Sequence, residues 1–188
     1  MKELFAAALE LQQFFVARQW RFCFIGGMAV GRWGRSRYTE DVDASLFTNF
    51  GDEEKYVADL LTGFSGRISD ASNFALTNRI VLLTASNGVQ LDVGLAGFDY
   101  EADMMNRGSD HEFEPGALLR TVSAEDLVVL KAFADRPQDW FDIDGILTRQ
   151  HKKLDWAYIH RVLPPLCEAK ESPEILDRLE KLRIKTRD

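Results

Sequence analysis

The chain has little of what marks several special-purpose classes. Its two cysteines, Cys23 and Cys167, cannot make a disulfide framework, and Cys23 lies in an apolar run where a thiol behaves as a small core residue. Its three histidines, His111, His151 and His160, lack zinc-ligand spacing. No apolar stretch approaches the length of a membrane span, so no membrane partner is expected. Glu3 and Glu10 near the start argue against a secretion signal, which makes a cytoplasmic location the expectation. An excess of basic charge is missing too. A formal charge of −7 weighs against generic binding to a nucleic-acid backbone, although Arg32, Arg35, Arg37 and Arg79 are candidates for a local basic patch.

What is present is a chain of 188 residues, 46% apolar, enough for a full core and too hydrophobic for disorder. Leu4, Phe5, Ala8, Leu11, Phe14 and Phe15 mark an amphipathic helix over 2–19. Phe22–Ile25 reads as a strand ending at Gly26-Gly27, Met28–Trp33 as the start of a helix, and 34–39 as a loop. Asp41–Phe47 is the next strand and Glu53–Leu61 the helix after it. Gly66–Ile68 and Phe74–Leu83 read as sheet segments, the second paired with Val89–Leu95 through Asn87-Gly88, a hairpin signal. A short helix follows over Phe98–Asn106. Ser123, with Asp126 three residues on, caps a helix that breaks near Pro137. Further helices are expected over 138–148, from Leu154 to the prolines Pro164-Pro165, and over Pro173–Ile184. Strands thus lie before residue 96 and helices after it, the order of an α/β or α+β unit with a C-terminal helical part.

Three acids carry the chemistry. Asp41 and Asp43 are two apart in a strand, so they share a face while Val42 turns to the core, with α-carbons about 6.6 Å apart. Asp92 sits between Leu91 and Val93 in another strand-like run. Carboxylates among buried neighbours need a charge partner or a metal, and three in one half of the chain point to a metal site. Glu40 falls on the opposite, solvent-side face, and Asp99, Glu101 and Asp103 read as solvated acids. Gly26-Gly27 lets backbone approach a phosphate closely, but no Gly-Lys-Ser/Thr follows, so this is not a P-loop. Arg37 either neutralises nearby carboxylates or clamps a leaving pyrophosphate; Thr39 can hydrogen-bond its own loop. Lys131 either snorkels to solvent or reaches phosphates as a point charge. Asp139 and Asp142, three apart on one helical face, are either surface acids or anchors for Arg136, Lys131 or a substrate hydroxyl.

In order and spacing, these motifs resemble the nucleotidyltransferase superfamily typified by DNA polymerase beta, and within it the AbiEii-type toxins of toxin–antitoxin systems. The resemblance runs from Gly26-Gly27-Met28-Ala29 through Gly34, Arg37, Thr39 and Asp41-Val42-Asp43 to Asp92. It continues through Ser123-Ala124-Glu125-Asp126-Leu127 to Lys131, then Arg136, Asp139 and Asp142. Gln138 stands where relatives often carry a basic residue. The resemblance implies an α+β fold with an α/β core, the minimal polymerase-beta-like form, in which a mixed twisted sheet is flanked by helices. It implies a catalytic core over 1–120 and a helical part over 121–188 that packs on it and supplies Lys131.

It further implies an enzyme that uses two Mg2+ ions and an NTP co-substrate to place a nucleotide on a hydroxyl, releasing pyrophosphate. Asp41, Asp43 and Asp92 would be metal ligands and catalytic with Lys131. Gly26, Gly27, Arg37, Thr39 and Lys131 would bind the nucleotide, with Arg136, Asp139 and Asp142 in support. Acceptors in the superfamily are tRNA ends, protein hydroxyls and small molecules such as antibiotics, and a toxin would have a cognate antitoxin. Competing expectations are an antibiotic-type nucleotidyltransferase, a catalytically inert binding module of the same fold, and a phosphoesterase. The last generally brings histidines to its site, and none lies near these acids in sequence.

Overall fold

The computed structural model describes residues 1–186; residues 187 and 188 of the expected helical part, and the side chain of His151, lie outside the described set. The chain divides into two compact units, residues 1–28 with 38–122 and residues 29–37 with the stretch from Ser123 onward.

The first unit is built on a seven-stranded mixed sheet. Its strands are β1 (Phe22–Phe24), β2 (Asp41–Phe47), β3 (Ser65–Gly66), β4 (Ile80–Thr84), β5 (Gln90–Ala96), β6 (Ser109–Glu112) and β7 (Leu118–Thr121), in spatial order β3-β4-β5-β2-β1-β7-β6. β2 and β5 run parallel with Asp43 beside Asp92, whereas β1–β2, β3–β4, β4–β5 and β6–β7 are antiparallel. Alternation along the central strands separates the two faces. Val42, Ala44 and Leu46 of β2, Leu91, Val93 and Leu95 of β5, and Val81 and Leu83 of β4 are buried, which leaves the acids on the other face. Helix α1 (Lys2–Ala17) buries Leu4, Phe5, Ala7, Ala8, Leu11 and Phe15 in the same hydrophobic cluster.

In this unit two stretches depart from the sequence-based expectation. Phe74–Asn78 belongs to a helix (Ala71–Asn78), with Ala71 and Ala75, four apart, buried on one side. Arg79, in the left-handed region at φ 54°, ends that helix and turns the chain into β4, and its guanidinium donates to the Leu95 carbonyl and pairs with Glu53. Arg79 therefore serves its own corner, tied down by these contacts. Strands β6 and β7 were also unforeseen. They are four residues each and carry little apolar alternation, and they form through pairing with each other and, at Thr121, with Phe24 of β1.

The second unit is helical. Its helices include α6 (Ala124–Ala134), α7 (Pro137–Gln150), α8 (Trp156–Ala169) and α9 (Glu174–Lys185), numbered after five helices that begin earlier in the chain, among them α2 (Gly26–Trp33), which is divided between the units. Ser123 caps α6 by accepting from the Asp126 amide at 3.1 Å. Helix α8 continues through Pro164 and Pro165, where a stop was expected. The carbonyls those prolines cannot bond belong to His160 and Arg161, both exposed, where water can satisfy them. Among the described residues no helix is long and apolar enough to cross a membrane.

Candidate metal centre

In the first unit the strand register builds the site. Asp43 and Asp92 are direct neighbours across the parallel β2–β5 pair, and Asp41 lies two residues before Asp43 on the same face. One carboxylate oxygen from each of Asp41, Asp43 and Asp92 falls within 4.8 Å of the others, the one such group of acids, histidines or cysteines among the described residues. All three are half-buried. Three hard oxygen donors on a partly solvated face fit a single hard divalent cation such as Mg2+, which takes few protein carboxylates and completes its shell with water or phosphate oxygens.

The loops around the acids leave them room. Gly26 has φ +55°, a conformation that other L residues rarely adopt, and a β-carbon there would stand 1.8 Å from Asp43 Oδ2. A β-carbon on Gly27 would meet Thr39 Oγ1 at 2.7 Å. Thr39 in turn donates its hydroxyl to Asp41 Oδ1 at 2.8 Å, fixing one oxygen of that carboxylate. The glycine pair thus clears space for Asp43 and for the threonine that orients Asp41. Burial pushes the Asp92 carboxyl above its ordinary value; Arg67 opposes this and the nearby Asp41 charge adds to it.

Arg67 escaped the sequence reading. Its guanidinium donates to the Asp92 carboxylate and to the Gln90 amide oxygen. Nothing in the sequence ties residues 25 apart to one another. The available signal was an arginine in the middle of the short expected sheet segment Gly66–Ile68, and charged residues are common at sheet edges.

In the second unit, Lys131, Asp139 and Asp142 are buried at 5%, 1% and 2% exposure. Lys131 Nζ lies 3.0 Å from Asp139 Oδ1 and 2.7 Å from Asp142 Oδ2, so the lysine does not snorkel to solvent and the acids are not on the surface. Arg37 Nε donates to Asp142 Oδ1 at 3.1 Å, and Gln138 Nε2 donates to the same oxygen at 3.1 Å. Arg136 Nε donates to Asp139 Oδ2 at 2.6 Å. Burial acts to raise the Asp139 carboxyl, but the hydrogen bonds and charges of Arg136 and Lys131 outweigh it and hold the group below its usual value. Among the described residues, two carboxylates share the Lys131 ammonium, a group with three donors. Gln138 thus has a role of its own, as a neutral donor to Asp142.

A mixed sheet with an acidic pair on one strand and a third acid level with it on a parallel neighbour is the polymerase-beta-like nucleotidyltransferase fold. Over residues 11–186 the sequence matches the family described as nucleotidyl transferase AbiEii toxin, type IV TA system, and the chain belongs to that family. Among solved structures, a nucleotidyltransferase-like antigenic protein from Paracoccidioides brasiliensis is similar at 16% identity and a TM-score of 0.52, covering 95% of this chain and 93% of that one. The lincosamide antibiotic adenylyltransferase LnuA, in its lincomycin-bound structure, is 13% identical with a TM-score of 0.49, covering 73% of this chain and 92% of its own. ANT(2'')-Ia in complex with adenylyl-2''-tobramycin is 18% identical with a TM-score of 0.47, covering 97% and 96%. No curated protein matches the chain significantly.

Proposed function

We propose that the protein is a Mg2+-dependent nucleotidyltransferase that moves a nucleoside monophosphate from an NTP to a hydroxyl acceptor, releasing pyrophosphate, and that it is the toxin of a toxin–antitoxin pair. The observation that carries this reading is the convergence of Asp41, Asp43 and Asp92 oxygens to within 4.8 Å on one sheet face. Membership of the AbiEii family supports it.

Asp41, Asp43 and Asp92 would hold the metal. Two bound Mg2+ ions would supply charge neutralisation at the triphosphate and a lowered pKa for the attacking hydroxyl. Thr39 keeps Asp41 turned toward its partners, and Gly26 and Gly27 keep the approach to the acids free of side chains. In the second unit, Lys131 and Arg37 are assigned to the nucleotide's phosphates, where fixed positive charge favours the charge that builds during transfer. Asp139 and Asp142 pair with those cations, and Arg136 pairs in turn with Asp139. Transfer of this kind rests on positioning and electrostatics and needs no covalent enzyme intermediate.

The test is incubation of the protein and its Asp43→Asn variant with each α-32P-labelled NTP and Mg2+, in separate tubes with tRNA, cell protein and an antibiotic panel. Label should enter one acceptor class with wild type and none with the variant. Equal labelling by the variant would remove Asp43 from the chemistry, and labelling of an antibiotic alone would replace the toxin role with drug modification.

A further inference from the structure

The backbone amide of Arg67 donates to the Leu82 carbonyl at 2.9 Å, extending the β3–β4 ladder by one residue. Leu82 faces Asp92 across β4–β5, and Asp92 faces Asp43 across β5–β2. Arg67, Leu82, Asp92 and Asp43 therefore form one row across four strands, with side chains on the same face. From the edge of the sheet, Arg67 reaches over Leu82 and places its guanidinium on Asp92 and on Gln90, two residues earlier on β5. The pair is largely shielded, with side-chain exposures of 20% for Arg67 and 24% for Asp92.

The hold is also incomplete, because Arg67 Nε is buried with no hydrogen-bond partner among the described residues. A buried donor left unsatisfied weakens the arrangement that strands it. A side chain with only structural duties would be expected to use all its donors. One that has to yield when another cation arrives need not.

We infer that Arg67 is the resident counter-cation of the acidic cluster. It holds Asp92 in place when no metal is bound and lowers the affinity of the bare site for a divalent ion, so that the ion loads together with the nucleotide's phosphates. This rests on the proposed reading of Asp41, Asp43 and Asp92 as metal ligands. Charge repulsion fixes the sign of the effect. A unit positive charge about 6 Å from a divalent ion changes its affinity roughly tenfold even at the dielectric constant of water, and more in a shielded site. Arg67 is thus a positioning residue whose removal should tighten binding of the metal alone, the opposite of what loss of mere structural support would do.

The experiment is a titration of nucleotide-free protein with MnCl2, with free Mn2+ followed by its EPR signal, for wild type, Arg67→Met, Arg67→Lys and Asp43→Asn. Arg67→Met should bind Mn2+ about tenfold more tightly than wild type. Arg67→Lys, which keeps the charge and loses the planar fork, should stay within about threefold of wild type. If Arg67→Met fails to fold, Arg67→Gln removes the same charge and carries the same expectation. Unchanged or weaker Mn2+ binding on loss of the charge overturns the inference. Asp43→Asn separates it from the reading beneath it: wild-type Mn2+ affinity in that variant would show that the acids are not the metal site, whatever Arg67 does.

Discussion

The two units each hold a cluster of carboxylates, but they treat them differently. In the second unit, Asp139 and Asp142 lie at 1% and 2% exposure around Lys131, with Arg37, Arg136 and Gln138 supplying further donors. In the first, Asp41, Asp43 and Asp92 stay half-buried and turn their oxygens toward one another. Acids that face cations in a dry setting complete an internal network, and removing one member strands the others. Acids that face each other repel, and with Arg67 paired to Asp92 the three carboxylates still carry an excess of negative charge that a further cation would offset. The direction in which charges point thus distinguishes the two clusters better than their number does.

The comparison is broken most severely by Asp43→Asn, which should lower nucleotide transfer by about a thousandfold while the thermal unfolding midpoint stays close to wild type. A large fall in that midpoint would instead make Asp43 a structural residue. The mirror experiment is Lys131→Met. It leaves two buried carboxylates without their shared ammonium and should cost about 3–5 kcal/mol in urea unfolding; a change below about 1 kcal/mol would return Lys131 to the surface class.

Gly26→Ala sharpens the first cluster. The added methyl meets Asp43 and the backbone sits in the left-handed region, so a stability loss of about 1–2 kcal/mol is expected together with weakened metal binding. A variant equal to wild type in both would mean that the turn can relax away from Asp43.

The pH dependence sharpens the second cluster. The Asp139 carboxyl is held below its unfolded value, so its share of stability is present above about pH 4 and disappears as pH falls through the lower folded value. Urea unfolding of wild type should therefore weaken toward acid more steeply than that of Asp139→Asn. Parallel curves would show that Asp139 does not carry that dependence. The smallest effect expected is that of Thr39→Val, which removes one hydrogen bond to Asp41 and should reduce kcat roughly three- to tenfold with little change in stability.

Much of the fold and the candidate site was legible in the sequence, for reasons that can be traced. Asp41-Val42-Asp43 announces its strand and its face through period-two alternation, and Asn87-Gly88 announces the turn that joins β4 to β5. Ser123 and Asp126 mark the start of α6 by capping chemistry. These are local signals. Phe74–Asn78 misled because Phe74, Ala75 and Leu76 look like part of the apolar run into β4, whereas the helix is specified by the small residues Ala71 and Ala75 and by a turn at Arg79 held by Glu53 and Leu95. β6 and β7 exist through their partners, and their own composition would not have selected a strand. Arg67 was invisible for the same reason. Its meaning depends on a register three strands wide, fixed only once β3, β4 and β5 are side by side.

The measurement that bears most directly on the contrast between the clusters is an anomalous-scattering map from crystals grown with MnCl2 and a non-hydrolysable NTP analogue. Mn2+ density should appear bounded by Asp41, Asp43 and Asp92, with none at Asp139 and Asp142. Density at the Lys131 cluster, or its absence between the three strand acids with the analogue bound, would contradict that contrast.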